Sequence, residues 1–199
     1  MLIAIDIDEV LADFVNTFLT YHNSLYGSSL RKDQVSSYNF WALWNITKEE
    51  AIRRVYEFYK TPQFLNLPTI PGAKEGARSL ARKHRLVVIT SRPYDIYKDT
   101  GLWLEKNFSR CFSGRYFTNQ WAKADSKYNN LRKKSDICKK LHVDTIIEDS
   151  LECALECASF GKGVILLNCP WNQCENLPEN VKRAKSWDEI VEEILIKKI

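Results

Sequence analysis

Short apolar runs alternate with longer amphipathic stretches along most of the chain. The runs at 2–5, 86–89, 145–147 and 164–167 are short and rich in β-branched residues, which predicts four buried strands. A weaker run near 115–118 predicts a further strand. Apolar positions spaced three and four residues apart predict the intervening helices. These helices are expected at 11–26, 47–60, 73–83, 96–107, 135–141, 151–160 and 187–196.

From residue 71 onward, helices and strands alternate, and this order predicts an α/β fold. Strands joined through helices run parallel, so we expect a parallel sheet with helices on both faces. The segment between the first strand and Pro71 differs, because it is helical and ends in breaks such as Pro68 and Gly72. Near its centre, Thr47 stands three residues before Glu50, a spacing typical of a helix cap. The sequence therefore predicts one α/β domain that carries a helical insertion.

Polar residues follow three of the predicted strands at the points where those strands end. Asp6 and Asp8 follow the first strand, Thr90–Arg92 follow the second, and Glu148–Asp149 follow the fourth. Ligands of parallel sheets bind beyond the carboxyl ends of the strands, so these side chains are expected to meet at one rim. Taken alone, Asp6 and Asp8 fit a solvated strand end, a metal site, an acid/base pair or a nucleophile beside an acid. The two other groups at the same rim favour a reaction centre.

The residue types at this rim favour a magnesium ion and a phosphate group. Several carboxylates around one point need a hard cation, and oxygen ligands with little histidine favour Mg²⁺. Mg²⁺ brings affinity for phosphate, and a carboxylate beside it can attack phosphorus. The hydroxyls of Thr90 and Ser91, together with a lysine, would then hold the phosphoryl oxygens.

The composition is ordinary for a globular protein: of 199 residues, 45% are hydrophobic and 27% are charged. The formal net charge of +4 suits a small anionic ligand and is too small to favour a nucleic-acid polymer or a membrane surface. No apolar run has the length of a membrane span or the form of a signal peptide, so a cytoplasmic location is expected. The six cysteines lack zinc-site spacing and are expected to be reduced.

Four short motifs resemble those of the phosphatases in the haloacid dehalogenase superfamily. They are Asp6-Ile7-Asp8-Glu9-Val10 after the first strand, Thr90 after the second, Lys134 at the start of a helix, and Glu148-Asp149 after the fourth strand. The motifs occur in the family's order and span nearly the whole chain. The resemblance implies a Rossmann-like core with a small helical cap inserted after the first strand.

The resemblance also implies a role for each motif residue. Asp6 is expected to be the nucleophile and Asp8 the general acid/base. Thr90 and Lys134 are expected to orient the phosphoryl group. Asp149, Asp6 and the main-chain carbonyl of Asp8 are expected to bind Mg²⁺.

Within the superfamily, the chain resembles the 5'(3')-deoxyribonucleotidase branch and its uncharacterised relatives. The segments Leu11–Phe14 and Pro62–Ala73 carry this resemblance, together with the length of the insertion. It implies that residues 1–13 and 71–199 form the α/β core and that residues 14–70 form the cap.

Three further residues are open to more than one interpretation. Glu148 is either an outer ligand of the metal or an acid at a strand end. Arg92 either adds a phosphate contact or marks a different substrate class, because the mammalian deoxyribonucleotidases have Pro directly after the Ser. Glu9 stands where the family often has Gly, which leaves the charge of the adjoining loop open.

The expected activity is magnesium-dependent phosphomonoester hydrolysis through an aspartyl-phosphate, most specifically that of a 5'-nucleotidase or deoxyribonucleotidase. The alternatives are a phosphatase of sugar phosphates or another small metabolite, and a non-catalytic phosphate-binding or partner-binding protein on the same fold. The expected partner is a small phosphorylated metabolite such as a nucleoside monophosphate, bound by a monomer or a homodimer. Phe40, Trp41 and Trp44 in the cap are candidates to stack on a nucleobase, with core packing as the alternative for each.

Overall fold

The computed structural model of the protein describes residues 1–124, 126, 128 and 131–196. The last three residues of the predicted core, 197–199, lie outside the described residues. The strands are β1 (Leu2–Ile5), β2 (Arg85–Thr90), β3 (Phe112–Phe117), β4 (Thr145–Glu148), β5 (Gly163–Leu167) and β6 (Val181–Ala184). Across the described residues they form one six-stranded parallel sheet in the order β3-β2-β1-β4-β5-β6. The predicted α/β fold is therefore confirmed.

Helices connect these strands and also fill the segment between β1 and β2. They are α1 (Phe14–Tyr26), α2 (Phe40–Trp44), α3 (Lys48–Tyr59), α4 (Pro62–Leu65), α5 (Ala73–Ala81), α6 (Tyr97–Phe108), α7 (Lys134–Leu141), α8 (Leu151–Ser159) and α9 (Trp187–Leu195). Single turns of 3-10 helix lie at Lys32–Gln34, Tyr94–Ile96 and Pro170–Asn172. None of the described helices is long and apolar enough to cross a membrane.

Alternate residues of the central strands supply two hydrophobic cores, one on each face of the sheet. Ile3 and Ile5 of β1 point into the core shared with α5, α6 and α9. Leu2 and Ala4 point into the core shared with α7 and α8. This is the period of two expected for a strand that is buried on both faces. The sheet is thereby fixed from both sides, and its rim is held in a defined position.

Close packing of the last helix against α5 depends on Gly76. A Cβ atom at this position would lie 2.4 Å from Cε3 of Trp187. Trp187 is almost fully buried, and its Nε1 donates a hydrogen bond to the carbonyl of Val10 at 2.8 Å. Through this contact α9 supports the loop that leaves β1.

Several predicted boundaries were wrong, and each error has a physical cause. The first helix begins at Phe14 instead of residue 11, because the amides of Leu11 and Ala12 both donate to the Ile7 carbonyl in a tight loop. The sequence analysis missed α2 and α4, which are too short to show a helical period. It also missed β6, an edge strand with two polar residues at its centre.

The predicted cap, residues 14–70, is helical and has its own aromatic interior. Phe18 of α1 and Phe58 of α3 are fully buried, with ring centroids 5.2 Å apart. The Thr47 hydroxyl accepts a hydrogen bond from the Glu50 amide at 3.2 Å, which confirms the predicted start of α3. The division of the chain at residues 14 and 70 stays a prediction.

Candidate active site

The carboxyl ends of β1 and β4 bring three acidic residues together. Asp6 follows β1, and its amide donates to the carbonyl of Ile147 in β4 at 3.0 Å. Glu148 ends β4 and Asp149 follows it. One carboxylate oxygen from each of these three acids lies within 4.8 Å of the other two, and all three residues are buried. The acids that the sequence placed after separate strands therefore share one site.

Lys134 supplies a positive charge to this acidic cluster. It is the first residue of α7, and its Nζ lies 2.8 Å from Oδ2 of Asp6 and 2.8 Å from Oε2 of Glu148. Its side chain is only 5% exposed. The adjacent Lys133 points outward instead, with 70% of its side chain exposed, and pairs with Glu156 at 2.8 Å. Of the two lysines in the predicted basic motif, Lys134 is the one that reaches the rim.

The cluster contains more negative than positive charge, and burial of these charges shifts the pKa values of its members. Burial raises the pKa of Asp6 to about 7, although Lys134 opposes the rise. Burial, followed by the charges of Glu148 and Asp6, raises the pKa of Asp149 well above its usual range. Burial alone would lower the pKa of Lys134, but its carboxylate partners outweigh burial and hold that pKa well above the ordinary value.

These features fit a hard divalent cation. Within the described residues, Oδ1 of Asp6 is buried and has no hydrogen-bond partner. Asp149 receives its side-chain hydrogen bonds at Oδ2, which leaves Oδ1 available as a ligand. Glu148 is more heavily engaged, because Oε2 accepts from Lys134 and Oε1 accepts from the Ser150 amide at 3.1 Å. Asp6 and Asp149 are therefore the best placed ligands, and a direct metal contact from Glu148 stays a prediction.

Asp8 lies at the same rim but faces away from the other acids, toward Arg92. Arg92 donates from Nη2 to Asp8 Oδ1 at 2.6 Å and from Nε to Asp8 Oδ2 at 3.0 Å. Its Nη1 donates to the Thr100 hydroxyl at 3.1 Å, and Arg92 is 2% exposed. The sequence analysis left Arg92 open as a phosphate contact or as the mark of a different substrate class. The structure pairs its guanidinium with Asp8, and a contact with phosphate stays a prediction. Arg92 therefore fixes the direction of the Asp8 carboxyl group.

The two predicted hydroxyl residues differ in their surroundings. Thr90 is fully buried at the end of β2, and its Oγ1 accepts from the Arg92 amide at 3.2 Å. Ser91 lines the cavity above the rim and donates to Gln120 Oε1 at 3.3 Å. Thr90 thus shapes the loop after β2, while Ser91 is the hydroxyl that faces the cavity.

A cavity of about 320 Å³ lies between the rim and the cap. The rim contributes Asp6, Asp8, Lys134 and Asp149 to its walls. The cap and the surrounding loops contribute aromatic side chains, namely Phe14, Tyr38, Phe40, Trp41, Tyr59, Trp121 and Trp171. The cavity is therefore lined both by the charged groups of the rim and by aromatic rings, two of which, Tyr38 and Trp171, contact Asp149.

Two of the three cap residues predicted to stack on a base line this cavity. They are Trp41 and Phe40. The ring centroid of Trp41 lies 6.4 Å from that of Trp121, whereas Phe40 is buried. Trp44 is half-buried in the cap, where its ring stacks on His22 at 3.8 Å and on Phe40 at 5.0 Å. The structure thus assigns Trp44 to packing and leaves Trp41 as the more accessible ring.

Sequence reasoning missed two aromatic residues that contact Asp149. The Tyr38 hydroxyl and the Trp171 Nε1 each donate to Oδ2 of Asp149 at 2.8 Å. The adjacent Asn172 donates to the Asp149 carbonyl at 2.8 Å, so the loop after β5 holds this acid at its backbone as well. Trp171 follows a predicted strand, and the rule that ligands bind at strand ends would have indicated it. Tyr38 carries no comparable signal.

The loop after β1 is joined to the cap through Glu9. Its backbone has a φ of 62°, which is uncommon for a residue other than glycine, and the residue is 1% exposed. Its Oε1 accepts from the Val15 amide at 2.6 Å, and its carboxylate is paired with Lys32 of the cap. Burial raises the pKa of Glu9 to about 7, with Lys32 opposing the rise. A charged pair therefore occupies the position where the family often has glycine.

A parallel sheet that carries buried acids and the buried Lys134 at its rim, beneath a helical segment, fits the class of phosphatases that the sequence motifs resemble. Comparison with known proteins agrees with this class. The family model for "5' nucleotidase, deoxy (Pyrimidine), cytosolic type C protein" matches residues 1–199, and the chain belongs to this family.

Curated relatives and solved structures resemble the chain over nearly its whole length. A 5'(3')-deoxyribonucleotidase of Clostridium acetobutylicum is 22% identical over 191 residues, which is 94% of this chain and 91% of the relative. A haloacid dehalogenase-like hydrolase from Streptococcus pneumoniae superimposes with a TM-score of 0.67 at 16% identity, covering 97% of each chain. A HAD-hydrolase from Bacillus subtilis bound to magnesium has a TM-score of 0.59 at 15% identity, covering 98% of each chain.

Proposed function

We propose that this phosphatase is a Mg²⁺-dependent 5'(3')-deoxyribonucleotidase that works through an aspartyl-phosphate on Asp6. The observation that carries the proposal is the single cavity in which Asp6, Asp149 and Lys134 face a set of aromatic rings. The charged groups suit a phosphate group and the aromatic rings suit a planar base. The volume of about 320 Å³ is in the range of small-molecule sites. The family match and the Clostridium relative support the nucleotide as substrate.

Mg²⁺ held by Asp6, Asp149 and the Asp8 carbonyl would offset the charge of the phosphoryl oxygens. Lys134, 2.8 Å from Asp6, lowers the pKa of the attacking carboxylate and adds a second positive charge at the point of reaction. Ser91, which lines the same cavity, would donate to a phosphoryl oxygen. Each of these contacts gains strength because the surrounding groups are buried.

The reaction proceeds in two displacements at phosphorus. In the first, a carboxylate oxygen of Asp6 bonds to phosphorus while the bond to the leaving oxygen breaks, and Asp8 protonates that oxygen. In the second, Asp8 takes a proton from a water molecule that attacks phosphorus, and the bond to Asp6 breaks. Arg92 holds Asp8 in one direction for both transfers. Free nucleoside, inorganic phosphate and the original carboxylate result.

A substrate panel tests the proposed function directly. Purified protein is assayed with 5'- and 3'-deoxyribonucleoside monophosphates, ribonucleotides, sugar phosphates and an aryl phosphate, with added Mg²⁺ or with EDTA. We expect the deoxyribonucleotides to be the best substrates and activity to disappear in EDTA and return with Mg²⁺. Preference for sugar phosphates would replace the nucleotidase assignment, and full activity in EDTA would remove the metal from the mechanism. The cytoplasmic location stays a prediction of the sequence.

Trp41→Ala tests the role of the more accessible cap ring. If Trp41 stacks on the base, its loss should lower kcat/KM for deoxyribonucleotides by roughly ten- to a hundred-fold, the value of a stacked base. Activity on a small aryl phosphate, which carries no nucleobase, should change little. The aryl phosphate thus controls for damage to the rim. An equal loss on both substrates would show that Trp41 acts on the fold or on cap closure instead of on the base.

A further inference from the structure

Tyr38 makes a direct hydrogen bond from the cap to a proposed metal ligand. It precedes α2 in the cap, and its hydroxyl lies 2.8 Å from Oδ2 of Asp149 in the core. The two residues are 111 positions apart in sequence. The contact therefore forms only when the cap is docked on the sheet.

The hydrogen bonds to Asp149 leave one of its oxygens for a cation. Tyr38 and Trp171 both donate to Oδ2, so the carboxyl group cannot rotate without losing two donors. In that orientation Oδ1 is the oxygen available beside Asp6, whose own Oδ1 is buried and unpaired among the described residues. Donors of this kind orient metal ligands, and their removal typically lowers metal affinity.

The Tyr38 ring is itself held in place from two sides. It packs on Trp171 with ring centroids 5.1 Å apart, and it meets Phe40 edge to face at 6.2 Å. Trp171 is part of the core loop after β5, whereas Phe40 is part of the cap. Packing against the core loop on one side and against the cap on the other therefore directs the Tyr38 hydroxyl toward Asp149.

We infer that Tyr38 is a positioning residue through which docking of the cap strengthens cation binding at Asp149. This inference rests on the proposed function, because it concerns the same metal site. By thermodynamic linkage the coupling is reciprocal, so the cation also favours the docked cap by the same factor.

A second bond between the cap and the core provides a matched control. The Tyr56 hydroxyl of α3 donates to Oδ2 of Asp95 at 2.9 Å. Like Tyr38, it joins a cap tyrosine to a core carboxylate, but Asp95 is not a member of the acidic cluster. Tyr56→Phe therefore weakens cap docking without touching a proposed metal ligand.

The experiment is a calorimetric titration of Mg²⁺ into the full-length protein and its Tyr38→Phe and Tyr56→Phe variants, without substrate. We expect Tyr38→Phe to raise the Kd for Mg²⁺ by about tenfold or more. Tyr56→Phe should change it by less than about threefold, and thermal unfolding in EDTA should show that both variants are folded. An unchanged Kd in Tyr38→Phe, or an equal increase in both variants, would overturn the inference.

Hydrogen exchange on the unaltered protein tests the reciprocal effect and does not depend on any variant. Mg²⁺ should slow amide exchange in the segment 35–46, which carries Tyr38, more than in α3, which carries Tyr56. Equal protection of both segments, or of neither, would contradict the coupling. If the unaltered protein binds no Mg²⁺, the proposed metal-dependent function fails. If it binds Mg²⁺ tightly and Tyr38→Phe does not change the Kd, only the inference about Tyr38 fails.

Discussion

Asp6→Asn is expected to lower phosphatase turnover by about a thousandfold or more, the largest effect of any single change in the site. The amide nitrogen or oxygen of asparagine cannot replace the carboxylate as a nucleophile at phosphorus, and it is a poor ligand for Mg²⁺. The fold should survive, because Asp6 is a buried acid whose pKa is already raised to about 7 by burial. Steady-state rates with Mg²⁺ measure the loss of turnover, and thermal unfolding of the same samples tests whether the fold survives.

A trapping experiment distinguishes the nucleophile from a residue that only binds metal. Acid quenching during turnover should leave a phosphorylated peptide that contains Asp6 in the unaltered protein and none in Asp6→Asn. Asp149→Asn serves as the comparison, because it should weaken Mg²⁺ binding yet keep the phosphorylated peptide at saturating Mg²⁺. Substantial turnover by Asp6→Asn, or a phosphate attached elsewhere, would exclude Asp6 as the nucleophile.

Lys134→Ala is expected to reduce turnover by about 10²–10³-fold and also to destabilise the fold. Its ammonium is buried and lies 2.8 Å from both Asp6 and Glu148, so its loss leaves two buried carboxylates without their partner. Breaking a buried ion pair typically costs about 3–5 kcal/mol. Urea unfolding in EDTA measures the loss of stability, and initial rates with Mg²⁺ measure the loss of turnover.

The loss of stability in Lys134→Ala should be larger at pH 8 than at pH 6. With Lys134 present, the pKa of Asp6 in the folded protein is about 7, and loss of Lys134 should raise it further, whereas in the unfolded chain Asp6 is ionised at both pH values. At pH 6 Asp6 is largely protonated in both folded proteins, so the ion pair contributes little there. At pH 8 the unaltered protein pairs an ionised Asp6, whereas the variant must bury an unpaired charge or take up a proton. A loss independent of pH would mean that Lys134 contributes mainly through packing.

Lys133→Ala is the matched control for Lys134→Ala. Lys133 is the preceding residue, with the same side chain, but it is exposed and pairs with Glu156 at the surface. Its removal should leave the free energy of unfolding almost unchanged and leave turnover intact. If Lys133→Ala instead abolished activity while Lys134→Ala did not, the assignment of the lysine motif would be wrong by one residue.

The rim could be predicted from the sequence because its residues follow strands with clear apolar patterns. Asp6 and Asp149 stand directly after short β-branched runs, and the topology of a parallel sheet places such positions side by side. Lys134 was found through a motif, since a helix start at the rim has no hydrophobic signal of its own. The same reasoning gave the α/β fold and most of its element boundaries.

The connections between side chains could not be predicted in the same way. The pairing of Arg92 with Asp8 depends on the path of the loop after β2, and the sequence shows only that both residues lie near the rim. Glu9 and Lys32 meet across the cap boundary, and nothing in their local sequence indicates a partner 23 positions away. Trp41 and Trp44 occupy one short helix, and only the packing around it determines which ring faces the cavity.

The bond from Trp187 to Val10 has a consequence for the order of synthesis. Its donor and acceptor are 177 residues apart, so the loop that carries Asp8 and Glu9 gains this support only after α9 has left the ribosome. The same tryptophan fills the space that Gly76 leaves on α5, which makes the docking of α9 a late and long-range step in folding. A chain that lacks α9 could therefore build the sheet without fixing the loop that carries Asp8 and Glu9, since the Trp187 bond would be absent.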